Sequence, residues 1–137
     1  MARDEINVHI PVGDVTKSVE VIEITKTAVT QANGIKIADA LENKNNSLQI
    51  FVENTTTSGG SATDSSLTLK AGDNYPNAIL GDLTITLGKS AITAFILEDI
   101  SRFENRDNSI LIDFASGFTG NIWAVAKRAG LEPVVNN

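Results

Sequence analysis

The chain of 137 residues has no cysteine, one histidine, three prolines, one tryptophan and one tyrosine. Without cysteine there are no disulfides, no thiolate metal ligands and no cysteine nucleophile, so packing alone must hold the fold. A Ser-His-Asp triad would have to use His9, and no Gly-x-Ser-x-Gly elbow accompanies it. Neither the Gly-x-x-x-x-Gly-Lys-Ser/Thr phosphate loop nor the Gly-x-Gly-x-x-Gly fingerprint occurs. The inventory therefore predicts a protein that is not an enzyme and carries no cofactor. Long apolar runs are missing too. Met1 to Glu5 is charged, and the apolar residues after it are interrupted by Asn7, His9 and Pro11. This is not the continuous apolar core of an export signal. No stretch approaches the roughly 20 apolar residues of a spanning helix. No membrane is expected as a partner, and synthesis in a cytoplasm is expected. Basic residues are outnumbered 11 to 17, for a formal charge of -6, which makes nucleic acid a poor partner.

What is present is enough apolar material, 42% of residues, for one packed domain. Its spacing is that of strands. Ile6, Val8 and Ile10 alternate with Asn7 and His9, and Leu48, Ile50 and Val52 alternate with Gln49 and Phe51, which leaves apolar groups on both faces near the end of that strand. Leu67 and Leu69 alternate with Thr68 and Lys70, and Leu83, Ile85 and Leu87 with Thr84 and Thr86; Ile110, Ile112 and Phe114 alternate with Leu111 and Asp113, and Ile122, Ala124 and Ala126 oppose Trp123 and Val125. The phase slips at Ile22 within 19–29, which suggests a bulge or a change of sheet. Asn33-Gly34 is a tight-turn pair. Ala38 to Lys44 is the one stretch of helix-favouring composition. Asn54 to Ser66 contains no large apolar residue and reads as an exposed flexible loop. About eight or nine short strands, with turn signals roughly every ten residues, predict an all-β fold. The expected form is an antiparallel β-sandwich or jelly-roll-like barrel. Residues 1–30 are expected as an N-terminal arm or edge strands, 31–131 as the sandwich and 132–137 as a tail. Leu83, Ile85, Leu87, Ile110, Ile112 and Ile122 are expected in one core.

Candidate sites are few. Glu98 and Asp99 are adjacent, so on a strand they face opposite ways and do not make a catalytic pair; solvation or pairing with Arg102 or Arg106 is expected. Asp73 and Asp82 flank an Asn-rich turn that could offer oxygen ligands to calcium, but the spacing fits no EF-hand, and turn chemistry explains such residues as well; no metal is expected. Phe51, Phe95, Phe114 and Trp123 lie inside strands and are expected in the core. Tyr75, Phe103 and Phe118 lie at turns, where they either anchor an interface or cap the sandwich. His9 is expected as a surface residue. The segment containing Ile6, Val8, Ile10, Val12 and Val15 either pairs with its own sheet or reaches a neighbour as an added strand. Together with Tyr75, Phe103 and Phe118, these residues are the candidate interface to a partner or to a further subunit.

Seven segments carry a family resemblance. They are Gly34-Ile35-Lys36-Ile37, Ser47 to Thr55 (SLQIFVENT), Leu67 to Asp73 (LTLKAGD), Leu80 to Ile85 (LGDLTI), Leu97 to Phe103 (LEDISRF), Ile110 to Phe114 (ILIDF) and Gly120 to Val125 (GNIWAV). Their order, from Gly34 to Leu131, resembles small decoration (capsid cement) proteins of tailed bacteriophages and prophages. The resemblance implies a structural virion protein on the capsid exterior. Its partners would be the major capsid protein and two further copies of itself in a homotrimer, bracing the expanded head against internal pressure. The alternative is a head-fibre, tail or baseplate component whose Asn/Thr-rich loops bind a host-surface glycan.

Overall fold

The computed structural model describes residues 2–10, 12–14, 19–40, 47–73, 79–97 and 100–127, and for 12–14, 19, 20, 47 and 127 the backbone alone. The described residues form strands β1 (Asp4–Ile6), β2 (Val8–His9), β3 (Val12–Asp14), β4 (Val19–Val21), β5 (Thr27–Ala28), β6 (Ile35–Ile37) and β7 (Ser47–Asn54). There follow β8 (Thr57–Ser58), β9 (Ser61–Ala62), β10 (Ser65–Leu69), β11 (Leu83–Leu87), β12 (Ile92–Ile96), β13 (Ile110–Phe114) and β14 (Gly120–Lys127). Ile100–Arg102 makes a single 3-10 turn. Among the described residues no helix is long and apolar enough to cross a membrane.

The fold is an all-β sandwich of two open sheets, not a closed barrel. The first sheet has the order β1-β6-β13-β10-β11; the second has β12-β7-β14-β2, with β5 also pairing β14. The ladders are antiparallel except at two places, β1 beside β6 and β2 beside β14, which are parallel. These exceptions correct a purely antiparallel expectation. Both come from the N-terminal segment, which adds one short strand to each sheet.

Alternation sets the core. In β6 and β13 every second residue is buried. Ile35, Ile37, Ile110, Ile112, Leu67 and Leu69 of the first sheet are fully buried, as are Ile50, Val52, Ile122 and Ala124 of the second. One continuous cluster results. Each aliphatic side chain taken from water contributes about 1.5–3 kcal/mol. Phe118 stacks on Phe114 with ring centroids 4.5 Å apart.

Two core expectations are corrected. Leu83 is 38% exposed and Ile85 only partly buried, because β11 is the outermost strand of its sheet; Leu87 alone of that strand is fully buried. Phe51 and Trp123 are half-buried because they alternate with the inward Ile50, Val52, Ile122 and Ala124, which puts them on the outer face. Phe95 is partly buried against the core. The stretch 19–29 is two short strands separated by residues 22–26, and Ala38 to Ala40 forms a turn.

Of the residues expected as an exposed flexible loop, Asn54 to Ser66, Asn54 ends β7, 57–62 form an exposed β-hairpin, and Ser65 and Ser66 open β10. Strands β8 and β9 pair in antiparallel register across Gly59-Gly60, both with positive φ (61° and 84°). Such a two-residue turn matches the strand twist and strongly favours glycine. The hairpin hangs from Asn54, which is 1% exposed. Its Nδ2 donates to the carbonyls of Thr63, Leu87 and Gly88 at 3.1, 3.2 and 3.1 Å, and its Oδ1 accepts from Thr56 N–H at 3.0 Å.

Candidate functional site

The expected interface residues separate into three groups. Ile6 and Val8 are 6% and 8% exposed. The chain passes from the first sheet to the second at Asn7, so both side chains point between the sheets. Backbone bonds fix the crossing: Ala38 N–H donates to Ile6 O at 3.1 Å, and Val8 N–H donates to Asp39 Oδ1 at 2.9 Å. Arg3 adds an ion pair with Asp113 at 2.6 Å and a bond to Ile112 O. Of the two alternatives, arm or edge strands, residues 4–6 and 8–9 are edge strands of the chain's own sheets, and Ile10 also packs against the core. Phe103 and Phe118, at 4% and 2% exposed, cap the sandwich and do not project from it. Val12 belongs to the β3–β4 ribbon, while Val15 and Tyr75 lie outside the described residues, as do Glu98 and Asp99.

His9 is not a bare surface residue. Its Nε2 accepts from Thr25 N–H at 3.0 Å, so Nδ1 carries the proton and donates to Ala124 O at 3.0 Å. The ring ties the segment before β5 to β14. Asp73 and Asp82 do not converge on a common point. Asp73 accepts from Arg106 N–H at 2.9 Å, while Asp82 accepts from Ala71 N–H at 2.7 Å and from Lys70 Nζ at 2.8 Å. Among the described residues no three His, Cys, Asp or Glu side chains gather.

Two surface features stand out. The first is the tip at Ile79 and Leu80, which are 89% and 61% exposed. Its backbone is braced from beneath. Arg102 donates from Nε to Gly81 O at 3.0 Å and from Nη2 to Leu80 O and Asp82 O at 3.3 and 3.2 Å. The guanidinium itself sits 5.2 Å from the centroid of the Phe103 ring. The Lys70 hydrogen bond, then the Ala71 N–H, hold the Asp82 carboxyl below its ordinary pKa. Asp82 in turn raises the Lys70 ammonium. A network of this size holds out two aliphatic side chains that touch little of the chain itself. The second feature is the outer face of the second sheet. Phe51 and Trp123 lie stacked with centroids 5.5 Å apart, and Lys26 Nζ sits 5.4 Å from the Trp123 ring centroid. Beside them Glu53 accepts from Asn121 Nδ2 at 2.9 Å and from Lys26 at 3.4 Å, and both contacts, Asn121 first, lower its pKa.

A third region is a cleft of ≈ 540 Å³ lined by Arg3, Glu5, Lys36 and Asp107 among others, and two of its cations are held in internal ion pairs. Lys36 bonds Asp107 at 2.9 Å, and Arg3 is held by Asp113. The Ser109 hydroxyl and then Lys36 lower the Asp107 pKa.

Sequence reasoning missed Ile79 and Leu80. The available signal was two large aliphatics between Pro76-Asn77 and Gly81-Asp82, where turn formers on both sides leave no strand to bury them. The chain matches no family model, no curated protein and no solved structure.

Proposed function

We propose that this chain is a structural, non-enzymatic virion protein that binds the outer surface of an assembled phage capsid and stabilises the expanded head. The observation that carries this reading is the braced Ile79–Leu80 tip. Exposed aliphatics on a fixed backbone are preorganised anchors, because the loop loses little further freedom on docking. Burying both contributes about 3 kcal/mol or more, roughly a hundredfold in affinity. The order of the seven sequence segments, from Gly34 to Leu131, supports the same reading. The partners in this proposal are the major capsid protein and further copies of the chain as a homotrimer, with no nucleic acid or membrane involved. Three tips on one trimer would engage together, which multiplies a modest contact per copy.

The test is co-sedimentation with expanded heads, comparing wild type with the Ile79→Asp/Leu80→Asp double variant. Attachment should fall by about a hundredfold, while the melting temperature stays at the wild-type value, since neither side chain is in the core. Full attachment of the double variant refutes the assignment of the tip as anchor. Absence of attachment by the wild type refutes capsid binding itself. A second reading, glycan recognition, is favoured by the paired Phe51 and Trp123 on one outer face with Asn121 and Glu53 beside them. Glycan binding that disappears in Trp123→Ala would select it.

A further inference from the structure

Strand β12 closes one side of the second sheet, and among the described residues no strand pairs with its other side. Its ladder to β7 fixes which backbone groups are free. Asn54 N–H donates to Ala91 O at 2.9 Å, and Leu97 N–H donates to Leu48 O at 3.2 Å. In an antiparallel ladder such bonded residues alternate with residues whose N–H and C=O point the other way. The bonded set is therefore Ala91, Thr93, Phe95 and Leu97. Ile92, Ala94 and Ile96 turn their N–H and C=O groups to the open edge. The same three residues carry exposed side chains on the outer face, with Ile92 and Ile96 both 56% exposed.

Sheet edges in soluble proteins are ordinarily protected by a charge, a proline or a bulge. The sequence of β12, Ile-Thr-Ala-Phe-Ile, has none of these. It is instead close to symmetric about Ala94.

We propose that β12 is a self-association edge, pairing antiparallel with β12 of a second copy about a two-fold axis at Ala94. In that register Ala94 faces Ala94 of the second copy, and Ile92 faces Ile96. All three pairs are of the bonded type, so every outward N–H and C=O on both strands finds a partner. The exposed isoleucines also become cross-strand neighbours on the outer face, the pairing that stabilises sheets. Charge selects the same orientation. The sequence is basic at Lys89 before the strand and acidic at Glu98-Asp99 after it. Antiparallel pairing brings unlike ends together twice, whereas parallel pairing brings like ends together. The two-fold contact consumes both edges and closes at two copies. It goes beyond the capsid reading, is not the three-fold contact of a trimer, and stands or falls without either.

The test is sedimentation equilibrium of the full chain across micromolar concentrations, with wild type, Ala94→Pro and Ile96→Lys. The Ala94 N–H faces outward, so proline there removes no bond within the chain yet deletes the central pair of bonds between copies. Wild type should show a reversible two-fold association, monomer to dimer or, where the chain is already trimeric, trimer to hexamer. Ala94→Pro should weaken it by about tenfold or more with an unchanged circular dichroism spectrum. If Ala94→Pro loses its strand signal, Ile96→Lys, which keeps every backbone donor, carries the comparison and should weaken dimerisation likewise. A wild type that stays monomeric, a trimer as the sole oligomer, or dimerisation constants unchanged in a folded variant overturns the proposal.

Discussion

Replacing Asn54 by leucine keeps the side-chain volume and removes only its polar end. Four hydrogen bonds go: three donated by Nδ2 to Thr63, Leu87 and Gly88, and one accepted by Oδ1 from Thr56 N–H. The amide has two hydrogens for three carbonyls, so the loss is best reckoned as two donors and one acceptor. At about 0.5–1.5 kcal/mol net for each, and with the Thr56 N–H left buried without its partner, the expected destabilisation is about 3 kcal/mol. For a domain of this size that lowers the melting temperature by about 10 °C. Asn54→Asp should lose more at neutral pH, since it aims a charged oxygen at three carbonyls. Thr57→Ala, on the exposed face of the hairpin, should stay within about 0.5 kcal/mol of wild type. Urea denaturation with comparison of m-values is the assay. If Asn54→Leu matched wild type within about 0.5 kcal/mol at the same m-value, the hairpin would not be tethered as described, and the loop expected from composition would be the better account.

Removing residues 1–10 should destabilise the domain markedly and promote aggregation. The truncation deletes two core side chains, Ile6 and Val8, and bares the edges of β6 and β14. A truncated protein that melts at the wild-type temperature would return this segment to the status of an arm. Acid should weaken the fold in a defined way. Asp82 and Asp107 have folded pKa values below the ordinary 3.8, so each contributes stability that is present above that value and lost as pH falls through the folded one. The Asp82→Asn/Asp107→Asn variant should therefore show a shallower loss of unfolding free energy on acidification than wild type. Parallel acid limbs in the two proteins would show that these pairs contribute nothing, as many exposed pairs do.

Period-two alternation determined most of the architecture without reference to the structure. Leu48, Ile50 and Val52, like Ile110, Ile112 and Phe114, can bury one face only as strands, and in the structure they do so. The same parity, applied strictly, would also have placed Phe51 and Trp123 outside, but their size argued for the core. What sequence could not determine is how far each strand overlaps its neighbours. Leu83 has the pattern of a core residue and is exposed because β11 is outermost. Asn54 has the composition of a loop and is buried because carbonyls more than thirty positions away converge on it. Ile6 and Val8 read either as an arm or as edge strands; they cross from one sheet to the other at Asn7, and only the packed sheets supply the parallel partners β6 and β14 that hold them. Local pattern fixes which residues of a strand share a face. Which face meets protein, and which edge stays open, depends on partners distant in sequence, and those exist only once the two sheets have closed on each other.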